Sequence, residues 1–404
     1  MSGTEIRNAV VLVIDQLGAN LLGAYGSTLF ETPNFNRLAA ESLLFDQAIA
    51  AAPHLIDAYD QFWGASEETS WLEKIGEAGY SPVMLSDAPE LLTHASSKYF
   101  DRVLPFEKLS NDGPAAGMEQ TELAHFFAQA AQAISSLEDG SCLWLHSRGL
   151  SGAWDAPLEL RNHLANDEDP EPPHWCEPPS GWFDPDNDDP DQLLSYQQVC
   201  AAQVTLIDDF LGVVLDLMET DLGESTLLCL LSPRGYPLGE HGIVGSDCSH
   251  DFERCHGETL HVPMMIRMPE RDSYNRFRSL RSGTLVQPAL VSQLLQDWFS
   301  GDAPMQQSLQ NFAFRLPEKK KEITWTKSGD VNAVQTHAWK LITDGDRTSL
   351  YVKPDDRWEI NDVSRRCPSI VAAMEDVMKD LTESGAILWP KGFELSAELA
   401  DRLE

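Results

Sequence analysis

Short, continuous apolar runs separated by amphipathic segments constrain the fold of this chain more than any other feature. The first run, NAVVLVI at 8–14, is rich in β-branched residues. Similar runs occur at 82–85, 141–146, 225–232 and 262–267. Such runs are typical of strands that are buried on both faces of a parallel sheet. Because helical patterns alternate with them, the sequence predicts an α/β fold with a doubly wound, mostly parallel sheet.

The pattern of apolar residues changes at about residue 315. Short strand-like segments separated by turns follow between 323 and 352, and a helical pattern covers 369–381. We therefore expect an α/β domain over 1–314 and a C-terminal α+β subdomain over 315–404, in which a small antiparallel sheet packs on a helix. Within the α/β domain, the acidic, Pro-rich segment 166–191 is expected to be an extended, solvated loop, or alternatively a contact surface for a basic partner.

The balance of charge limits the partners of this protein. The 404 residues include 29 Lys and Arg against 64 Asp and Glu, which gives a formal net charge of −35. Nucleic acids and anionic membrane surfaces are bound by clustered cations, so neither is expected as a partner. No apolar run approaches the roughly 20 residues of a membrane-spanning helix. Without such a run or a signal-peptide pattern, we expect a cytoplasmic location and no membrane attachment.

The cysteines predict a reducing environment rather than a disulfide framework. There are seven, an odd number, and none form a C-x-x-C pair. A zinc site is the alternative interpretation for Cys248 and Cys255, because His250 and His256 lie close to them in sequence. The spacing of these four residues fits no standard zinc site, so we favour ordinary loop residues.

Polar residues follow several of the predicted strands directly. In open α/β sheets, ligands bind at the carboxyl ends of the strands, so these positions are the first candidates for a functional site. They are Asp15 and Gln16, Asp87, His146 and Arg148, and Pro233 and Arg234.

Five blocks of the chain, in order, carry a resemblance to a known family. They are VLVIDQLGANLLGAYGSTLFETPNFNRLAAESLLFDQAIAAAP, WLEKIGEAGYSPVML, YQQVCAAQVTLIDDFLGVVLDLMETDLGESTLLCLLSPRGYPLGEHGIVG, HGETLHVPMMIRMP and AVQTHAWKLITDGDRTSLYVKPDDRWEINDV. Together they resemble the sulfatase family of the alkaline-phosphatase-like superfamily. The resemblance implies hydrolysis of a sulfate monoester with a divalent cation, usually calcium, held by oxygen ligands. It also implies a Cys or Ser nucleophile, modified to formylglycine, in a C/S-x-P-x-R motif.

Residue by residue, the chain departs from this pattern at nearly every functional position. Asp15 matches the first metal-binding Asp, but Gln16 stands where a second Asp is expected, and the other ligand pair falls on Pro233 and Arg234. Neither a proline nor a guanidinium can ligate a metal through its side chain. The nucleophile position falls near Leu55, where the motif reads LIDAY and is not competent. The catalytic residues that the resemblance implies are therefore largely missing.

We expect the remains of this degenerate site to form a pocket at the strand ends, here called the strand-end pocket. Its predicted members are Asp15, Gln16, His54, Asp57, Asp87, His146, Arg148, Pro233, Arg234 and His241. Asp87 stands where the family has Lys, and His146 keeps the first His of an H-x-P-H element. His241 lies in a retained turn, where a structural role is favoured.

Asp15 and Arg234 should end neighbouring central strands, so their side chains would meet at the family's metal position. A buried carboxylate needs a counter-charge, and a bidentate Arg supplies one without a metal. We hypothesise that Arg234 replaces the cation, and no cofactor is then expected. The alternative is that Asp15 remains a ligand of calcium in a residual or rearranged site. A rearranged site would combine Asp15 with His54, Asp57, Asp60 and Asp87.

The sequence therefore predicts a pseudoenzyme with a sulfatase fold that acts by binding or scaffolding. Its partner would be an unidentified protein or a small anion. The alternative is an active hydrolase of sulfate, phosphate or phosphonate esters, with a displaced nucleophile and a rearranged metal site. A third hypothesis is a subunit that regulates an active homologue.

Two tryptophans of the C-terminal segment allow two interpretations. Trp339 and Trp358 could anchor the core of the small sheet or form a platform for a carbohydrate. We favour core anchors, because large aromatic side chains contribute most when they are buried.

Overall fold

The computed structural model describes residues 7–64, 70–107, 109, 112–166, 168–222, 225–246, 250–314, 322–383 and 403. The strands are β1 Asn8–Ile14, β2 Leu43–Ile49, β3 Ser81–Ser86, β4 Arg102–Val103, β5 Ser141–Ser147, β6 Gly181–Trp182, β7 Thr226–Leu231, β8 Ile243–Val244, β9 His261–Val262, β10 Met264–Arg267, β11 Leu280–Val286, β12 Thr324–Ser328, β13 Val331–Gln335, β14 Trp339–Thr343 and β15 Thr348–Val352. The helices are α1 Pro33–Ala40, α2 Leu55–Phe62, α3 Trp71–Glu77, α4 Pro89–Leu92, α5 Glu122–Ser135, α6 Leu158–Leu164, α7 Pro190–Leu217, α8 Gly257–Leu260, α9 Leu290–Ser300, α10 Asp302–Ala313 and α11 Pro368–Glu383.

The central sheet has nine strands, in the order β11-β2-β10-β7-β1-β5-β3-β4, with β9 paired to β2. β1 is parallel to both of its neighbours, β5 and β7, and β3 is parallel to β5 and β4. β10, between β2 and β7, runs antiparallel to both of them. The predicted mostly parallel sheet is therefore confirmed.

Both faces of this sheet are covered by helices. Ala9, Val11 and Val13 of β1 belong to an apolar layer that includes side chains of α2, α3 and α9. The alternate residues of the same strand face a second layer, which includes side chains of α1, α5 and α7. Because successive side chains of a strand point to opposite faces, a strand covered on both sides needs an uninterrupted apolar run. This arrangement explains the NAVVLVI pattern and confirms the doubly wound fold.

The acidic segment 166–191 contains more regular structure than the sequence predicts. Residue 167 lies outside the described residues, but β6 within the segment pairs with β8, and α7 begins at Pro190. Asp189 caps α7 by accepting a hydrogen bond from the backbone N–H of Asp191. Pro190 occupies the first turn, where the N–H that proline lacks would have no partner within the helix. The expectation of an extended loop is therefore wrong at 181–182 and 190–191.

Helix α7 is the one described helix that is long and apolar enough to cross a membrane. However, 72% of its most apolar stretch is buried inside the protein. Its apolar residues Val204, Ile207, Leu211 and Val214 all belong to the layer on one face of the sheet. α7 therefore packs as a core helix.

The C-terminal part contains an antiparallel sheet in the order β12-β13-β14-β15. One face of this sheet packs on α11, and Val334, Leu341 and Leu350 meet Met374 and Val377 there. The predicted small sheet with a packed helix is confirmed. The expected boundary between the two parts falls on 315–321, which lies outside the described residues.

The two C-terminal tryptophans differ in burial. Trp339 on β14 is half-buried and packs against the core between the small sheet and α11. Trp358 follows β15 and is 49% exposed. The expectation that Trp358 is a core anchor is therefore wrong, because the chain after β15 carries it along the surface instead of under the sheet.

Candidate functional site at the strand ends

Asp15 and Arg234 form a buried ion pair at the centre of the sheet edge. Asp15 follows β1 and Arg234 follows β7, and these strands are adjacent and parallel. Arg234 donates from Nε to Oδ1 and from Nη2 to Oδ2 of Asp15, both at 2.9 Å. Burial alone would raise the pKa of the fully buried Asp15 carboxyl, but the charge and hydrogen bonds of Arg234 outweigh it and hold the pKa below its ordinary value. The predicted pair is confirmed.

The residues around Asp15 do not fit a divalent cation. Both carboxylate oxygens of Asp15 accept hydrogen bonds from Arg234, and Pro233 offers no side-chain ligand. Gln16 donates from Nε2 to Ser246, and its amide oxygen has no hydrogen-bond partner among the described residues. A hard cation such as calcium needs six to eight oxygens, and a guanidinium at this position would repel it. The positive charge at the strand ends is therefore supplied by the chain itself.

Helix α2 begins at the position that the resemblance assigns to the nucleophile. Leu55, its first residue, is half-buried and aliphatic. One turn later, Tyr59 occupies the position of the arginine in the C/S-x-P-x-R motif. Its ring is packed edge-on against Trp63 and Trp144, with centroids 4.6 and 6.0 Å apart. Aromatic side chains therefore fill the space beneath the start of α2.

Tyr59 also joins the strand-end pocket to this aromatic cluster. Its hydroxyl accepts a hydrogen bond from Trp144 Nε1 at 3.2 Å and lies 2.6 Å from His146 Nδ1, to which it can donate. Burial lowers the pKa of His146 to about 4, so its imidazole is neutral at pH 7. His146 Nε2 has no hydrogen-bond partner among the described residues. Sequence analysis missed Tyr59, although the LIDAY motif contains it.

Asp87 and Arg148 meet through the backbone rather than through an ion pair. The backbone N–H of Arg148 donates to Asp87 Oδ1 at 2.7 Å, and the Arg148 guanidinium donates to the carbonyl of Ser151. Burial raises the pKa of Asp87 to about 8, so this carboxyl is mostly protonated at pH 7. One carboxyl oxygen of Asp87 is thus engaged by the backbone of the loop after β5.

The alternative metal site built on Asp15, His54, Asp57, Asp60 and Asp87 does not assemble in the described chain. Asp57 is exposed on α2, and Asp60 lies 3.1 Å from His94. His54 lies 3.0 Å from Ser328 on β12 and 3.3 Å from Asp251. Asp57 is exposed to solvent, and its assignment to the strand-end pocket stays a prediction.

A second arginine, which sequence analysis did not single out, approaches the pocket. Arg254 is 1% exposed and donates from Nη2 to the carbonyl of Pro53 at 2.7 Å. Arg234 Nη1 donates to the same carbonyl at 3.3 Å. No motif marks Arg254 in the sequence, because its position depends on the path of the chain between β8 and α8.

His241 lies in a different cluster from Asp15, on the side that faces the C-terminal sheet. Its Nδ1 is 2.6 Å from Glu258 Oε1, and its Nε2 donates to the carbonyl of Glu359 at 3.2 Å. Burial alone would lower the pKa of His241, but the hydrogen bond and charge of Glu258 outweigh it and raise the pKa. His241 and Glu258 thus form a close hydrogen-bonded pair, and the assignment of His241 to the strand-end pocket stays a prediction.

Among the described residues, one group of side chains lies close enough to share a metal ion. The ligand atoms of His241, His256 and Glu258 are all within 4.8 Å of one another. The two imidazole rings are stacked, however, with centroids 3.7 Å apart and planes inclined by 17°. A metal lies in the plane of each imidazole that ligates it, so nearly parallel stacked rings cannot point at one ion. This group is better described as a histidine–carboxylate pair with a second histidine stacked on it, whose pKa burial lowers to about 4.

The zinc alternative for the cysteine segment finds no support in the described chain. Cys248 lies outside the described residues. Cys255 is a buried free thiol, and His256 Nε2 lies 3.1 Å from the Tyr351 hydroxyl.

Comparison with known proteins identifies the fold. A phosphonate monoester hydrolase of Agrobacterium radiobacter matches with a TM-score of 0.71, at 13% identity over 95% of this chain and 96% of that one. An enzyme solved with its substrate D-glucosamine-2-N,6-O-disulfate matches with a TM-score of 0.68, at 14% identity over 95% and 98%. A 2-O GAG sulfatase matches with a TM-score of 0.67, at 14% identity over 95% of this chain and 93% of that one.

The fold is that of the sulfatases. It is shared with the phosphonate monoester hydrolase, as the alkaline-phosphatase-like resemblance implies. No family model and no curated protein matches the sequence. The sulfatase likeness therefore concerns the architecture, and the chemistry of this chain has to be argued from its own residues.

Proposed function

We propose that this sulfatase-fold protein does not hydrolyse esters and acts by binding another molecule. The observation that supports the proposal best is the bidentate pair between Arg234 and Asp15. Cleavage of a sulfate or phosphate ester develops negative charge on the transferred group, which a Lewis acid or free cation must stabilise. Both carboxylate oxygens of Asp15 are committed to the guanidinium, so this carboxylate is not available to hold such a cation.

The hydroxyl groups near the strand ends also argue against a displaced nucleophile. Ser232 donates to the carbonyl of Arg234 at 2.6 Å, and Ser147 accepts from the backbone N–H of Gly149 at 3.2 Å. Ser86 accepts from the backbone N–H of Ala88 at 3.1 Å. Burial raises the pKa of the Tyr59 hydroxyl well above its ordinary value, which makes it a poor nucleophile. Each of these groups stabilises a local turn or a buried network.

The partner in this proposal is a small anion or another protein, and the protein is proposed to work in the cytoplasm. The alternative, an active hydrolase, would act on esters of the kinds named for its structural neighbours, a sulfated glucosamine and a phosphonate monoester. It would require the His241, His256 and Glu258 group to rearrange around a metal.

An esterase assay tests the proposal. Purified protein is incubated with 4-nitrophenyl sulfate, 4-nitrophenyl phosphate and 4-nitrophenyl phenylphosphonate, each with and without Ca²⁺, Mg²⁺, Mn²⁺ or Zn²⁺. We expect wild type and Asp15→Asn to release nitrophenol at the same background rate. The matched control is the exposed Arg365→Gln. Turnover that is present in wild type and Arg365→Gln but absent from a folded Asp15→Asn would overturn the proposal.

A further inference from the structure

A cavity of about 220 Å³ lies between the α/β domain and the C-terminal sheet, here called the interface pocket. Asn20 and Gln47 line it from the α/β domain, and Gln335, Lys340 and Lys353 line it from the C-terminal sheet and the chain after β15. None of the residues predicted for the strand-end pocket lines it. The interface pocket is therefore a separate site.

The charged side chains around Glu359 carry an excess of positive charge. Lys340 donates to both carboxylate oxygens of Glu359 at 2.9 Å, and Lys353 donates to one of them at 2.7 Å. One buried carboxylate thus faces two ammonium groups. Burial, together with the positive charges of Lys353, Arg357 and Lys340, lowers the pKa of the neighbouring His261 to about 4, so this residue is neutral at pH 7.

The other two acidic residues of the pocket have partners outside it. Asp46 accepts from Arg281 Nε at 3.1 Å, and Glu258 lies 2.6 Å from His241 Nδ1. With Arg281 counted, four cations face the three carboxylates of the pocket, so a net positive charge remains. A positive pocket contrasts with the rest of the chain, whose formal net charge is −35 and whose surface would repel most anions.

Two amide side chains of the interface pocket lack hydrogen-bond partners in the described chain. Gln335 is 6% exposed, and its side chain makes no hydrogen bond there. The Oδ1 atom of Asn20 has no partner either, but it is buried against Gly18 and is closed to the cavity. The Gln335 side chain therefore remains as the amide that can bind a polar occupant.

The mouth of the pocket holds a cation and an aromatic ring. The guanidinium of Arg357 lies 4.9 Å from the ring centroid of Trp358, and both residues line the pocket. Arg357 has no carboxylate partner among the described residues. An exposed indole beside a guanidinium can stack on the flat face of a small ligand while the cation binds its charged group.

We propose that the interface pocket binds a small organic anion, a compact, hydroxyl-bearing molecule with one carboxylate, phosphate or sulfate group. Arg357 and Lys353 bind the anionic group, because a guanidinium and an ammonium are the standard partners of oxyanions. Gln335 binds a hydroxyl group, and Trp358 stacks on the body of the ligand. The inference stands whether or not the strand-end site is active, because it uses other residues.

Calorimetric titration of the full chain tests this inference. The probes are glucuronate, glucose 6-phosphate and glucose 6-sulfate, with glucose as the neutral control, at constant pH and ionic strength. We expect at least one charged probe to bind and glucose to bind much more weakly. Arg357→Gln should lower the affinity for the charged probe by about tenfold or more, as expected for loss of a charge-assisted hydrogen bond. The preferred probe identifies the anionic group.

The matched control is Arg366→Gln, an exposed arginine of the same subdomain that does not line the pocket. It should leave binding unchanged, whereas the exposed Trp358→Ala should weaken it. Failure of all three charged probes to bind, equal binding of glucose, or unchanged binding in Arg357→Gln would overturn the inference. These outcomes are independent of the esterase assay, so failure of either proposal is distinguishable.

Discussion

The two buried charge clusters of this protein differ in how their charges are matched. At the strand ends one carboxylate, Asp15, meets one guanidinium, Arg234, in a bidentate pair. In the interface pocket one carboxylate, Glu359, meets two ammonium groups, Lys340 and Lys353. The first cluster is neutral and complete, whereas the second keeps a surplus positive charge beside a cavity.

The backbone is unusual at both clusters. Gln16, next to Asp15, has a φ of 60°, and Glu359 has a φ of 57°. Both lie in the left-handed region that non-glycine residues rarely adopt, and such conformations persist where the surrounding structure holds them. The complete pair occupies the position that the sulfatase resemblance assigns to a metal ligand, whereas the unbalanced cluster keeps a surplus charge beside the cavity in which we propose that an anion binds.

Glu359→Gln should have the largest effect on stability. It leaves two buried ammonium groups facing a neutral amide, and breaking a buried ion pair costs about 3–5 kcal/mol. We expect a loss of about 4 kcal/mol in the free energy of unfolding, measured by urea denaturation. Glu138→Gln is the matched control, since its carboxylate pairs with Arg102 on the surface and its loss should cost less than about 1 kcal/mol. Equal losses of stability in the two variants would contradict the claim that Glu359 holds two buried ammonium groups.

Arg234→Met should cost about 3 kcal/mol, because Asp15 then remains buried without its counter-charge. The double variant Asp15→Leu with Arg234→Met should recover most of this loss, since replacing both partners of a buried pair is often close to neutral. The control is Arg37→Met, whose partners Asp216 and Glu219 lie on the surface. A single variant as stable as wild type would show that the pair does not hold the strand ends.

The pH dependence of the free energy of unfolding should reveal the contribution of the Glu359 carboxylate. The charges of the two lysines outweigh burial and hold the pKa of Glu359 at about 2, below the ordinary 4.5. A carboxyl with a depressed folded pKa stabilises the protein above its unfolded pKa, and this contribution is lost as pH falls through the folded pKa. The stability advantage of wild type over Glu359→Gln should therefore shrink between about pH 4.5 and 2. An advantage that grows in this range would contradict the assignment.

Lys353→Met should have the smallest effect, a loss below about 1 kcal/mol, because Glu359 keeps both hydrogen bonds from Lys340. It also removes the surplus charge and the repulsion between the two ammonium groups. Thermal unfolding of Lys353→Met and of Lys340→Met measures how much each lysine contributes to stability. A loss as large as that of Lys340→Met would mean that the two lysines are equivalent and that no charge is in surplus.

The sequence predicts most of the central sheet and one of the two clusters. Strands buried on both faces produce continuous apolar runs, so β1, β3, β5, β7 and β10 could be recognised directly. β11 was missed, because it alternates between exposed and buried residues and includes Arg281 and Gly283. The Asp15–Arg234 pair was predictable, because each residue directly follows a central strand and the family resemblance places those strands side by side.

The interface pocket could not be predicted in this way. Lys340 lies on β14, whereas Lys353 and Glu359 lie on the irregular chain after β15, so no periodicity connects them. The pocket also needs Asn20 and Gln47 from the distant α/β domain. Trp358 was misjudged for a related reason, since its burial depends on the path of this chain and not on its hydrophobicity.

The central claim is that Arg234 supplies the charge for which the sulfatase resemblance implies a divalent cation. The most direct measurement is the metal content of the untagged protein by elemental mass spectrometry, after dialysis against calcium, magnesium, manganese or zinc and then against buffer. We predict no stoichiometric metal in wild type or in Asp15→Asn. About one equivalent of metal in wild type that is lost in Asp15→Asn would contradict the claim and restore the strand ends as a metal site.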